Sequence, residues 1–119
     1  MTIKQVRKEE WHRGDFIAIA MSSLSAEDLI RQISVTFEEF IEDGLGRAKA
    51  AGFLTHHGKQ FSIVEYLEAP SKPTTYIMSL NDPSTMTDDL KAILEGIGIP
   101  FSQLVWTHAD VQVERLKSD

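Results

Sequence analysis

The chain has 119 residues and a formal net charge of −6, and its length predicts one domain spanning residues 1–119. It contains no cysteine, which excludes disulfides, thiolate zinc sites and cysteine nucleophiles. Nucleic acids and anionic membranes bind proteins with a basic surface, which an acidic chain does not favour. No apolar run approaches the ~20 residues that cross a bilayer. Since the first residues also lack the apolar core of a signal peptide, we expect a cytoplasmic protein that binds neither nucleic acid nor membrane.

The first two patterned segments predict a strand followed by a long helix. Asp15–Ser22 contains an uninterrupted apolar run, which is typical of a strand covered on both faces. Ser25 then favours the start of a helix, which the sequence predicts over Ala26–Ala51. The helix is indicated by apolar residues spaced three and four apart, namely Leu29, Ile30, Ile33, Phe37, Phe40, Ile41, Leu45 and Ala48. Gly44 and Gly46 interrupt this pattern, so a kink or an end near Asp43 is also compatible with it.

Four further segments complete the domain. They are a strand at Phe61–Glu68, a strand at Thr74–Asn81, a helix at Thr85–Ile97 and a strand at Gln103–Glu114. Gly58-Lys59 is compatible with the tip of a small hairpin that joins residues 53–55 to 61–67. The segment order predicts an α+β fold of the ferredoxin-like βαββαβ kind, with an antiparallel sheet, two helices on one face and a second, open face.

This order resembles that of ferredoxin-like proteins and of dimeric α+β barrel proteins. The resemblance rests on segment order and on no motif. It implies that the open face could be covered by a second subunit, so a dimeric α+β barrel is one reading of the fold.

The last predicted strand suggests a candidate site. In a regular strand, Trp106, His108 and Asp110 project from one face, together with Leu104 and Gln112. The alternate residues Val105, Thr107, Ala109, Val111 and Val113 would then face the helices. The first set is therefore expected on the open face.

These residue types can support binding or proton transfer. His108 and Asp110 are candidate catalytic residues, because histidine titrates near neutral pH and a carboxylate can orient it. Trp106 offers an aromatic platform, and Tyr66, Trp11 and His12 are candidate ligand contacts. The alternative is that Trp106 packs in a dimer interface and that residues 108–110 form a loop.

Other clusters favour no chemistry. His56 and His57 are adjacent, so on a strand they would point to opposite faces and chelate poorly. The acidic stretch 38–43 lacks the Glu-x-x-His pattern of a di-iron helix and is best interpreted as a solvated face. We therefore expect no metal and no cofactor.

Three functions remain compatible with these patterns. The first is a homo-oligomeric domain, a dimer in its simplest form, that binds a small molecule on the open face or at the subunit interface. The second is a cofactor-independent enzyme of the isomerase or oxygenase type that uses His108 and Asp110. The third is an acidic protein-binding module such as an inhibitor or adaptor.

Overall fold

The computed structural model describes residues 4–7, 16–42, 44, 46–55, 57–68 and 72–117. These residues form an α+β fold with a seven-stranded antiparallel sheet and three α-helices. The strands are β1 (Lys4–Val6), β2 (Phe16–Ser22), β3 (Glu38–Glu42), β4 (Gly46–Leu54), β5 (Gln60–Tyr66), β6 (Thr75–Leu80) and β7 (Leu104–Thr107). The helices are α1 (Ala26–Ile33), α2 (Met86–Ile97) and α3 (Val113–Lys117), with a 3-10 turn at Phe101–Gln103 before β7.

The sheet has the strand order β1-β4-β5-β6-β2-β7. Strand β3 also pairs with β4, through residues 46–50, while β1 pairs with residues 52–54. Strands β1 and β3 therefore share one edge of the sheet, and β7 forms the other. The α+β class and the antiparallel sheet are confirmed, whereas the sheet has more strands than the predicted βαββαβ arrangement.

The predicted long helix over Ala26–Ala51 is wrong beyond Ile33. Ser34 caps α1 in the left-handed region with φ 54°, and the chain continues as the hairpin β3–β4. Gly44 and Gly46 have φ of 80° and 79°, a conformation suited to the tight connection between two strands and unsuited to a helix. The apolar spacing does not correspond to a buried helix face, since Ile41, expected in the buried stripe, is 79% exposed on an edge strand.

The three helices pack on one side of the sheet. Leu29 of α1, Leu90 of α2 and Leu116 of α3 belong to a single apolar cluster with the strand residues Ile63 and Ile77. Each fully buried side chain of this size contributes about 1.5–3 kcal/mol relative to an exposed one. This cluster is the main core and fixes which sheet face is covered by helices.

The last predicted strand is also corrected, because β7 ends at Thr107. A turn at residues 109–110 follows, and α3 begins at Val113. The pairing of β2 with β7 shifts register between Met21 and Ser22, and this irregularity places Leu104 against the main core instead of on the open face. Val105, expected under the helices, is 55% exposed.

Candidate functional site

The sheet face opposite the helices carries a continuous apolar surface. Residues directly opposite each other on antiparallel strands share a face. The pairing therefore aligns one row across six strands, in the order Trp106, Met21, Tyr76, Val64, Ala50 and Glu38. We call this surface the open face; its large members are Phe16, Met21, Phe40, Tyr66, Tyr76, Met78, Leu80 and Trp106.

Small residues beneath the large ones build the floor of the open face. Ala48, Ala50 and Val64 are buried, and Phe40, Tyr66 and Met78 pack around them. Alternation along β4 explains this, because Ala51 and Phe53 point into the main core while Ala48 and Ala50 point away from it. The side chains of the open face thus pack against one another as an apolar layer.

Aromatic side chains line two regions of the open face. Tyr66 and Tyr76 contact each other edge to face, with ring centroids 5.6 Å apart. Trp106 lies on the same face two strands from Tyr76 and is 44% exposed. The steps from β7 to β5 span about 14 Å at normal strand spacing, so Trp106 and Tyr66 belong to neighbouring parts of one surface.

The open face is almost uncharged away from one edge. By register, its charged residues within the described strands lie on β1 and β3, for example Lys4 and Glu38. Strands β4, β5, β6 and β2 contribute no charged residue to this face in the described part of the chain. Such a surface favours apolar and aromatic ligands over ionic ones.

His108 and Asp110 meet at the turn that follows β7. The backbone N–H of Asp110 donates a 3.0 Å hydrogen bond to Nδ1 of His108, and an oxygen of the Asp110 carboxyl lies 3.7 Å from the same nitrogen. A neutral imidazole that accepts at Nδ1 carries its proton on Nε2. The Nε2–H group of this imidazole is therefore a hydrogen-bond donor, and the imidazole lies edge to face against Trp106, with centroids 6.4 Å apart.

The predicted site residues are distributed unevenly over the structure. Trp106 and Tyr66 lie on the open face, and His108 adjoins Trp106. Asp110 lies in a turn instead of on a strand and reaches His108 through its backbone. Trp11 and His12 lie outside the described residues, as does His56.

Sequence reasoning missed Met21 and Met78 as members of this surface. The alternation of Tyr76, Met78 and Leu80 shows that they share a face, but it cannot say which of the two faces the helices cover. Met21 belongs to an apolar run without alternation, so the sequence does not indicate which sheet face it occupies. Methionine side chains are flexible and polarizable, so their presence suits a surface that adapts to an apolar ligand.

A separate cleft of about 360 Å³ lies on the helix side of the molecule. It is formed by α2, α3 and the 3-10 turn, and its lining residues are Lys91, Leu94, Glu95, Ile99, Phe101, Leu116 and Lys117. The ammonium group of Lys117 lies 5.7 Å from the centre of the Phe101 ring. Of the predicted site residues that the structure describes, none lines this cleft, and the sequence predicted a strand where α3 forms.

Within the described ranges, no group of three or more histidine, aspartate and glutamate side chains is arranged to hold a metal ion. No helix in the described part of the chain is long and apolar enough to cross a membrane. Comparisons with protein-family models, with curated proteins and with solved structures find no match.

Proposed function

We propose that this protein is a homo-oligomeric binding domain that takes an apolar or aromatic small molecule on its open face. The observation that carries the proposal is the uncharged row from Trp106 through Met21 and Tyr76 to Val64. Phenol and indole rings supply apolar contact area together with a polar group at the rim. A planar apolar ligand with one hydrogen-bond acceptor is the chemistry that this combination fits.

The arrangement at His108 supports binding over catalysis. A general base needs an available lone pair, and the one on Nδ1 is occupied by the N–H of Asp110. The Nε2–H group can instead donate to a ligand that lies beside Trp106. His108 would then orient the ligand at one end of the row.

A finer topology belongs to the same proposal. Strand β6 lies between β2 and β5, which α1 and the β3–β4 hairpin connect, and β2 lies between β6 and β7, which α2 connects. Two such split units are the pattern of a ferredoxin-like fold, with the β3–β4 hairpin as an insertion. The absence of cysteine favours a cytoplasmic location for this domain.

Titration with 8-anilinonaphthalene-1-sulfonate, a fluorescent probe with apolar aromatic rings and one anionic sulfonate group that accepts hydrogen bonds, tests the site. Tyr76→Ala removes the central ring of the row and should weaken probe binding about fivefold, since an aromatic contact contributes roughly 1 kcal/mol. Phe101→Ala is the matched control, because it removes a ring from the helix-side cleft and leaves the open face intact.

Near-ultraviolet circular dichroism must show that both variants are folded before their titrations are compared. We expect the affinity of Phe101→Ala for the probe to stay within about twofold of the wild-type affinity. If Phe101→Ala abolishes binding and Tyr76→Ala does not, the probe occupies the cleft and the proposal fails.

A further inference from the structure

The cleft between α2, α3 and the 3-10 turn has an apolar lining. Leu94 and Ile99 are buried and form its floor, and the half-buried side chains of Phe101 and Leu116 add apolar surface. Its volume of about 360 Å³ lies at the lower end of the roughly 300–1,000 Å³ that ligand pockets occupy. The cleft is therefore of a size that takes a small molecule through apolar contacts.

Charge distinguishes this cleft from the open face. It is lined by two ammonium groups, those of Lys91 on α2 and Lys117 on α3, and by one carboxylate, that of Glu95. Lys91 and Glu95 are four residues apart on α2, a spacing at which opposite charges attract, so Glu95 offsets part of the charge of Lys91. The lining still has one positive charge in excess, whereas the whole chain has a formal net charge of −6. This local excess favours an anion.

Lys117 holds its charge beside the apolar lining. Its ammonium group lies 5.7 Å from the centre of the Phe101 ring, within the distance at which an aromatic face attracts a cation. The ring face takes no N–H···O hydrogen bond, so the donors of this ammonium group can still bind a carboxylate. Phe101 lies outside the main core cluster, and its ring is half-buried. An anion that binds Lys117 would therefore place its apolar part against Phe101.

We propose that this cleft is a second binding site, for a monocarboxylate with a short apolar chain. The carboxylate pairs with Lys117, and the chain lies against Ile99 and Phe101. A single negative charge matches the single excess charge of the lining. One short chain also suits a small cleft better than the three-ring probe of the open face does. The inference does not depend on the open face, because the cleft lies on the other side of the sheet.

Titration with octanoate, followed by two-dimensional proton–nitrogen NMR of the labelled protein, tests the inference. Saturable shifts of backbone amides should concentrate in α2, α3 and the 3-10 turn, for example at Leu94 and Leu116. A ligand of about ten non-hydrogen atoms is expected to bind in the millimolar range. Octylamine carries the same chain with the opposite charge, so it should bind the cleft at least about fivefold more weakly.

Two lysine variants test the role of charge. Lys117→Gln removes the proposed anion contact and should weaken octanoate binding about fivefold. Lys72→Gln is the matched control, because it removes the same charge from an exposed lysine that does not line the cleft. Its affinity for octanoate should stay within about twofold of the wild-type affinity. Both substitutions change exposed side chains, and near-ultraviolet circular dichroism checks that both variants are folded.

Four results would overturn the inference. They are the lack of a saturable shift in the cleft at about 10 mM octanoate, equal binding of octylamine, equal affinities of Lys117→Gln and Lys72→Gln, and shifts confined to open-face residues such as Met21. Tyr76→Ala should leave octanoate binding in the cleft unchanged, although it weakens probe binding on the open face. The two proposals can therefore fail independently.

Discussion

The side chain of Glu65 on β5 binds the start of α1, since its Oε1 atom accepts a 2.8 Å hydrogen bond from the backbone N–H of Ala26. Ala26 is the first helical residue, and its N–H has no partner within the helix. A carboxylate at this position also interacts favourably with the positive end of the helix dipole. Glu65 is only 7% exposed, so this bond fixes the helix to the sheet from inside the molecule.

We expect Glu65→Ala to lower the free energy of unfolding by about 1.5–3 kcal/mol, because it leaves a buried N–H without an acceptor. Glu65→Gln keeps an acceptor oxygen and should cost less. Urea denaturation at pH 7 measures both changes. Glu38→Ala, an exposed change on β3, is the control and should cost less than about 0.5 kcal/mol. Equal effects of Glu65→Ala and Glu38→Ala would contradict the role of the bond.

Asp28 should make the stability of the protein depend on acid. The Oδ2 atom of Asp28 accepts a 2.9 Å hydrogen bond from the backbone N–H of Ser25, and the Ser25 hydroxyl accepts from the N–H of Asp28. The backbone hydrogen bond from Ser25 is the largest cause that holds the pKa of Asp28 below its ordinary value, followed by the Ser25 side chain and Arg31. The ionised carboxylate therefore stabilises the folded state.

The sign follows from this direction. A lowered folded-state pKa contributes stability that is present above the unfolded value of about 3.9 and is lost as pH falls through the folded value. At pH 7 the wild type should exceed Asp28→Asn in unfolding free energy, and the gap should shrink below about pH 4. Denaturant titrations of both proteins at several pH values between 7 and 2 measure the gap. A gap that stays constant over this range would contradict the assignment.

Gly46 should tolerate substitution less well than Gly58. Both have positive φ, at 79° and 81°, so alanine costs about 1–2 kcal/mol at either position. A Cβ atom at Gly46 would also collide with the Glu68 carboxylate, whereas at Gly58 it meets open space. Since Glu68 accepts a 2.6 Å hydrogen bond from the N–H of Arg47, its displacement should add about 0.5–1.5 kcal/mol. Thermal and urea unfolding of Gly46→Ala and Gly58→Ala give the comparison, and equal losses would argue against the collision.

Turn residues explain which parts of the fold could be predicted from sequence. Strand β6 and helix α2 fall within one residue of their predicted bounds, because Pro73 precedes the strand and Asn81-Asp-Pro-Ser separates strand from helix. These residues restrict the backbone locally, so no tertiary contact is needed to place the ends.

The secondary-structure predictions are wrong where tertiary contacts determine the conformation of the backbone. Residues 34–51 carry apolar spacing that suits a helix, but pairing with β5 holds residues 48–54 as a strand. At the other end of the chain, Val111 lies in the core as expected, but it reaches the core after the turn at 109–110 and not from a continued strand. Tertiary contacts also decide the candidate site. Trp106 lies on the open face as predicted, whereas a register shift that the sequence does not indicate places Leu104 against the main core.

The position of β2 between β6 and β7 has a consequence for how the chain folds. Met21 is paired with Tyr76 on one side and with Trp106 on the other, so both neighbours come from much later in the sequence. Closing such long loops is slow, and domains rich in these contacts fold more slowly than helical ones. During synthesis, β2 leaves the ribosome early, and its apolar side chains stay exposed until β7 has also left the ribosome. The nascent chain is therefore most prone to aggregate in that interval, and cellular chaperones should bind it there.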